Sequence, residues 1–271
     1  MPDCPAPMSP ARSPEGTRPV VLVTGSARRV GREIALELAA HGYDLALHAH
    51  RSTDECADTA REVEARGGRV ACFAADLADE AATRALLPAA AAALGRVDAV
   101  VNNASRFEHD DVDSVTHASL AAHWQVNAAA PVLLAQALRA QVAAAGGQGC
   151  VVNLLDQKLW NPNPDHLSYT LSKAALEAAT TLLAQALAPT VRVVGVAPGV
   201  TLPSGPMTEA EFVRAHGMTP LQRSSTPQDV ARAVRFLIES PAITGTTLLV
   251  DGGQHLAPQP RDVLYLARRR A

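Results

Sequence analysis

The sequence predicts an α/β fold built on a doubly wound parallel sheet. Three observations carry this. An apolar β-branched run, Val20-Val21-Leu22-Val23, leads straight into a glycine-bearing turn and then a helical pattern. Strand and helix patterns then alternate along the 271-residue chain, as parallel sheets with right-handed crossovers require. The polar residues with chemical potential stand where predicted strands end, which is where open α/β sheets bind their ligands.

The first strand is uniformly apolar, the mark of burial on both faces. It runs into Thr24-Gly25-Ser26-Ala27-Arg28-Arg29-Val30-Gly31. Ile34, Leu36, Leu38 and Ala39 follow with helical spacing, and Gly42 sits in the C-cap role. Glycines at 25 and 31 allow close backbone approach, and the helix N-terminus offers free N–H groups and partial positive charge. This is a phosphate site. The second strand covers 44–49 and ends in His48-Ala49-His50-Arg51-Ser52. A dinucleotide fold reads the adenosine ribose at that point. No acid stands there before Asp54. Arg51, with His50 and Ser52 beside it, suits a 2′-phosphate, so the expected cofactor is NADP(H). His48 and His50 lack a third partner for a metal, and none is expected.

The alternation continues with a helix over 54–66, a strand over 70–75 ending at Asp76-Leu77, and a helix over 79–94. A strand over 98–101 ends in Asn102-Asn103-Ala104-Ser105. A long helix over 118–144 carries Asn127. A strand over 150–155, a helix over 167–187 and a strand over 191–196 ending in Ala197-Pro198-Gly199 come next. Residues 200–226 break the rhythm and are placed to cover a substrate. Thr208 with Glu211 and Thr226 with Asp229 have the spacing of helix-capping pairs. The last strand covers 246–250 and precedes Asp251-Gly252-Gly253. Seven strands in all give a Rossmann-type seven-stranded sheet with helices on both faces.

Nearly half of the residues are hydrophobic and few are aromatic, which favours a sizeable core with close helix-to-sheet packing. The net charge of −3 argues against nucleic acid or an anionic membrane as partner. No apolar run approaches the ~20 residues of a membrane span. Cys4, Cys56, Cys72 and Cys150 show no CxxC spacing and are read as reduced thiols of a cytoplasmic protein. Residues 1–18, with five prolines, are read as a disordered leader. The single dinucleotide-binding domain covers 19–257, and 258–271 is read as a tail.

The chemistry centres on the strand end Asp156 and the helix start Ser168-Tyr169-Thr170-Leu171-Ser172-Lys173. Tyr169 and Lys173, four apart, share one helix face. An ammonium beside a phenol lowers the phenol's pKa, and a tuned phenol delivers a proton near neutral pH. An exposed pair on a solvated helix is the bland alternative. An ionised Asp156 has no proton to give a ketone oxygen; it suits a substrate presenting N–H groups or a ring nitrogen. Its alternative role is to cap loop N–H groups.

With these residues assembled, the chain resembles the short-chain dehydrogenase/reductase family over 19–256. Thr24-Gly25, Asn102-Asn103-Ala104, Tyr169 with Lys173, Pro198-Gly199 and Asp251-Gly252-Gly253 follow the family's order. The resemblance implies Tyr169 as general acid, Lys173 on the nicotinamide ribose and Asn127 holding a relay water. It places Gly25, Arg29, Val30 and Gly31 on the cofactor, with His48, His50, Arg51 and Ser52. Asp76, Leu77, Asn103, Ala104 and Ser105 complete that wall, with Tyr169, Lys173, Pro198, Gly199 and Thr201. Three departures stand out: Arg29 for a glycine, Ser105 for a glycine and Asp156 for a serine. Together they resemble pteridine reductases, in which an aromatic at the position of Phe107 stacks the pterin. That implies a substrate site of Arg29, Ser105, Phe107, Asp156 and Tyr169.

The expected activity is NADPH-dependent hydride transfer to a C=N bond of a pterin or related heterocycle. An ordinary carbonyl reductase and a non-catalytic NADP-binding sensor are the alternatives. The helix from Leu171 to Leu187 is apolar on nearly every face, so a partner subunit is expected. The resemblance implies a homotetramer in which this helix and that over 118–144 form the contact.

Overall fold

A computed structural model describes residues 18–204 and 207–268. The expected disorder of the leader falls almost wholly outside the described residues, as do Gly205 and Pro206 of the insertion.

Seven parallel strands form one sheet in the order β3-β2-β1-β4-β5-β6-β7. They are β1 Val20–Thr24, β2 Asp44–Ala49, β3 Val70–Ala74, β4 Val97–Asn102, β5 Gly149–Leu154, β6 Val191–Pro198 and β7 Thr247–Val250. The strand order reverses between β1 and β4, which opens a crevice beyond their carboxyl ends. Helices α1 Arg29–Ala40, α2 Thr53–Glu64 and α8 Pro227–Glu239 cover one face. There Ile34, Leu38, Val234 and Leu237 pack on Val21, Leu45 and Val152. Helices α3 Glu80–Leu94, α5 Ala130–Ala145 and α6 Leu167–Leu187 cover the other. There Leu86, Leu134 and Leu138 meet Leu22, Val100 and Val151. The central strands read as continuous apolar runs because both of their faces are buried in this way.

Two glycines set the crevice. Gly25 has φ +65° and lies under Ala104, where a Cβ would come within 2.9 Å of the alanine Cα. A Cβ on Gly31 would lie 2.2 Å from the Gly25 carbonyl oxygen. Both expected capping boxes form, Thr208 with Glu211 at the start of α7 Glu209–Gly217 and Thr226 with Asp229 at α8.

Two expectations change. The helix expected over 118–144 is α4 His117–Trp124 and α5 joined by a π-helical segment, Gln125–Ala129, that contains Asn127. The joined stretch is long and apolar enough to cross a membrane by length and composition, yet Ala130, Leu134, Leu138 and Val142 pack on the sheet as a core helix does. The stretch read as tail contains a helix, α9 Val263–Arg268. Its Val263 and Ala267 pack on Ala215 of α7 and on Met207. A six-residue helix has little stability of its own, so packing rather than local propensity fixes it.

Candidate active site

The crevice is a cleft of about 910 Å³ at the β1–β4 reversal. Its floor is the glycine turn, held from several sides. Asn103 donates its side-chain amide to the carbonyls of Thr24 (2.9 Å) and Gly25 (3.0 Å). The backbone N–H groups of Asn103 and Ala104 donate to Thr24 Oγ1. His48 is buried, accepts from the Gly25 N–H at Nδ1 (3.2 Å) and donates from Nε2 to the Ala75 carbonyl (3.0 Å). With both ring nitrogens engaged, it positions the turn and has no atom left for a metal. Burial lowers its pKa, which keeps it neutral.

Arg28 stands at the N-cap of α1 with no side-chain cap hydrogen bond, so the helix N-terminus faces the cleft uncapped. Arg29 takes a left-handed φ of 56° and donates from Nη2 to the Pro203 carbonyl at 2.9 Å. A non-glycine residue at such φ is strained. The bridge to the 200–204 loop offsets the strain and draws a guanidinium over the cleft. At the far end lie His50, Arg51, Ser52, Asp76 and Leu77. His50 is 3.7 Å from the Asp76 carboxylate. The side chains of Arg28 and Arg51 both line the cleft, and no described residue pairs with either. A glycine cradle, an uncapped helix N-terminus and two unpaired guanidiniums fit a dinucleotide that carries an additional phosphate.

At the other end, Tyr169 donates to Asp156 Oδ2 at 2.8 Å. The Lys158 N–H donates to Asp156 Oδ1, also at 2.8 Å. Asp156 therefore caps its loop and meets the phenol at once. Burial raises its pKa. The phenol is pushed well above its ordinary value by burial and by Asp156. This reverses the expectation of a phenol lowered by Lys173. The ammonium lies 5.9 Å from the phenol ring centroid and donates to the Leu154 carbonyl at 2.7 Å. The carboxyl, not the ammonium, is the phenol's direct partner. Burial lowers Lys173 itself to about 8.

Asn127 is engaged with the loop after β4 and with α6. Its side chain donates to Arg106 O and Ser172 Oγ and accepts from the Arg106 N–H and Ser105 Oγ. Four bonds saturate the amide, which anchors the loop after β4. Asp110 plays a similar part at α6, where its Oδ1 accepts the Ser168 N–H at 3.0 Å and so fixes the turn that carries Tyr169.

Asn127, Lys173 and Pro198 lie behind the walls. Gly199 and Thr201 line a second cavity of about 180 Å³ that opens from the cleft at Asp156, Arg29 and Phe107. Phe107 stacks on His166 with ring centroids 4.3 Å apart and meets Tyr169 edge-on at 4.7 Å. His166 Nε2 and Gln157 Oε1 are buried there without a hydrogen-bond partner. Lys158 Nζ lies 3.4 Å from Asp262 Oδ2, which closes the cavity from the C-terminal segment. The sequence reading missed Arg28, although its place in the glycine turn beside Arg29 was a signal. It also missed His166, Lys158 and Asp262, and for Asp262, 104 residues from Lys158, no local signal exists.

The family model described as Enoyl-(Acyl carrier protein) reductase matches residues 25–255. The chain is 33% identical over 282 residues to pteridine reductase 1 of Leishmania tarentolae, a match covering 89% of this chain and 97% of the relative. The chain belongs to the short-chain dehydrogenase/reductase family. This makes it an oxidoreductase of the short-chain type. A Streptomyces violaceoruber protein, the granaticin polyketide synthase putative ketoacyl reductase 2, is 36% identical over 262 residues, covering 88% of this chain and 96% of that one. Among solved structures, the FolM alternative dihydrofolate reductase 1 of Brucella suis in complex with NADP superposes with TM-score 0.84. It is 42% identical, with 89% of this chain and 96% of that one covered. The Brucella canis protein gives 0.82, also at 42% identity, with 88% and 95% covered.

Proposed function

We propose that this short-chain reductase uses NADPH to reduce a C=N bond of a pterin or related heterocycle, in the dihydropterin and dihydrofolate class. The observation that carries the reading is the buried Asp156 hydrogen-bonded to Tyr169, in the place where a ketone reductase needs a neutral donor for the carbonyl oxygen. Similarity to a pteridine reductase and to two dihydrofolate reductases supports it.

Arg28 and Arg51 would hold the 2′-phosphate and the N-terminus of α1 the pyrophosphate, with Tyr169 beside the nicotinamide ribose and Lys173 buried behind it. When bound, the cofactor supplies a hydride. Phe107, held by His166, gives the flat heterocycle a stacking wall. Tyr169 keeps its proton up to high pH and delivers it to the ring nitrogen. Asp156 orients the phenol. Because burial raises its pKa, the carboxyl can itself carry a proton, which departs from the ionised role read from sequence. Arg29 meets an acceptor on the heterocycle, and Ser105 lies at the cofactor–substrate boundary.

NADPH oxidation with dihydrobiopterin, dihydromonapterin and dihydrofolate tests this; no turnover on any of the three sinks it. Similarity to a ketoacyl reductase favours a second reading, reduction of a 3-oxoacyl thioester or other ketone. Asp156→Ser separates the two. The pterin reading expects a loss of about a hundredfold on pterins, in the range of general acid–base contributions. The ketone reading expects activity on ketones to be kept or raised.

The exposed Leu120 and Trp124 of α4 and Leu171 and Leu182 of α6 form an apolar face that supports a homotetramer. A monomer by light scattering at micromolar concentration would contradict it. The substrate is a small molecule, and we place the protein in the cytoplasm.

A further inference from the structure

Two cysteines lie outside everything assigned so far. Cys56 is in the first turns of α2, where its N–H donates to the Ser52 carbonyl at 3.1 Å. Cys72 is in the middle of β3, the edge strand, in register with Leu47 of β2. Their sulfurs are 3.4 Å apart, and Cys72 Sγ is 3.6 Å from the Cys56 carbonyl oxygen. Cys56 is buried and Cys72 is exposed. The third described cysteine, Cys150, is buried in β5, beyond the reach of an aqueous oxidant.

We infer that Cys56 and Cys72 are a thiol pair that oxidation closes into a disulfide, and that the closed form binds NADPH more weakly. This rests on the cofactor reading of the Arg51 end of the cleft. A disulfide needs its sulfurs at about 2.05 Å, so the pair must close by more than 1 Å. The movement falls on the first turns of α2, because β3 is tied into the sheet by its ladder to β2. Ser52, bonded to Cys56, and Arg51 before it line the cleft. The same strand leads into Ala75, the acceptor for His48, and into Asp76 and Leu77. The bond would therefore tie α2 to β3, the elements adjoining the two loops that face each other across the adenosine end.

The chemistry balances with hydrogen peroxide as oxidant. Cys72, the exposed thiol, reacts as thiolate. It attacks one peroxide oxygen to give a sulfenic acid and hydroxide, which takes up a proton to become water. The Cys56 sulfur then attacks the sulfenic sulfur, forms the S–S bond and releases a second water. The hydrogen bond donated by the Cys56 thiol lowers the pKa of Cys72 and raises that of Cys56. This assigns attack to Cys72 and resolution to Cys56.

The test uses the full, reduced chain treated with hydrogen peroxide and then freed of it. Non-reducing peptide mapping is expected to yield one Cys56–Cys72 linkage, reversed by dithiothreitol. Fluorescence titration is expected to give NADPH affinity about tenfold weaker after oxidation, the change that loss of one charge-assisted hydrogen bond brings. Cys56→Ser and Cys72→Ser are expected to keep the affinity of the reduced protein and lose the peroxide response. Absence of the linkage, with Cys72 recovered only as a sulfinic or sulfonic acid, overturns the pair. A complete linkage with unchanged affinity overturns the coupling to the cofactor. Failure of the reduced chain to bind NADPH would overturn the cofactor reading, and with it the coupling, while the mapped linkage still decides the pair.

Discussion

The two ends of the cleft are built in opposite ways. At the cofactor end, each side chain stands within a few residues of a strand end, and the strands concerned, β1, β2, β3 and β4, are neighbours in the sheet. At the substrate end, Asp156 and Tyr169 are joined by Phe107 from the loop after β4, Arg29 from α1, and Lys158 paired with Asp262 across 104 residues. The first end depends on local backbone geometry. The second depends on tertiary packing of segments that share no local pattern. Substitutions at the cofactor end should change affinity and leave the chemical step intact, whereas those at the substrate end should do the reverse.

The largest effect tests the substrate end. Tyr169→Phe removes the proton and keeps the ring, so kcat should fall about a thousandfold, within the span of general acid catalysis. NADPH affinity by fluorescence titration should stay within about threefold. A large fall in that affinity would break the division between the two ends. The next effect concerns Lys173, which stands behind both. Burial brings it to about 8, so it is charged below that pH and neutral above. If its charge holds the cofactor's ribose, kcat/KM should fall by about tenfold per pH unit above about 8; a flat profile to pH 10 would remove the ammonium from the reaction. The smallest effect tests the cofactor end. Arg51→Ala should weaken NADPH by about tenfold and leave NADH unchanged, since only the former offers a phosphate to the guanidinium. Equal losses for the two cofactors would place Arg51 elsewhere.

The same division explains what could be read from the sequence. Apolar β-branched runs mark the central strands β1, β4, β5 and β6 because burial on both faces requires apolar residues at nearly every position. The glycine turn is legible because only glycine fits under Ala104 at φ +65°. Arg29 is the exception that carries information, a bulky residue held at left-handed φ by a loop 174 residues away. The sequence brought Asp156 and Tyr169 into one site but misjudged their electrostatics. Spacing shows that Lys173 shares a helix face with the phenol, yet it does not show that the ammonium is occupied by the Leu154 carbonyl. The side-chain hydrogen bonds of Asn127 and His48, made to Arg106, Ser172, Gly25 and Ala75, become visible only in three dimensions. Helix α9 is preceded by Asp262, whose Oδ1 accepts the Leu264 N–H at 3.1 Å, and its docking on Ala215 and Met207 is the part that no local pattern shows.

The pairing of Lys158 with Asp262 has a consequence for how the enzyme is made. Arg261 grips Asp165, Asp262 meets the buried Lys158, and α9 props the covering helix α7. The hydrogen bonds that hold the glycine turn come from residues no later than Ala104, whereas α1 behind it packs on α8, near the end of the chain. The wall around the second cavity is complete only after residues 258–268 have left the ribosome and docked. A nascent chain therefore has neither the full support of α1 nor the closed chamber until its final segments emerge.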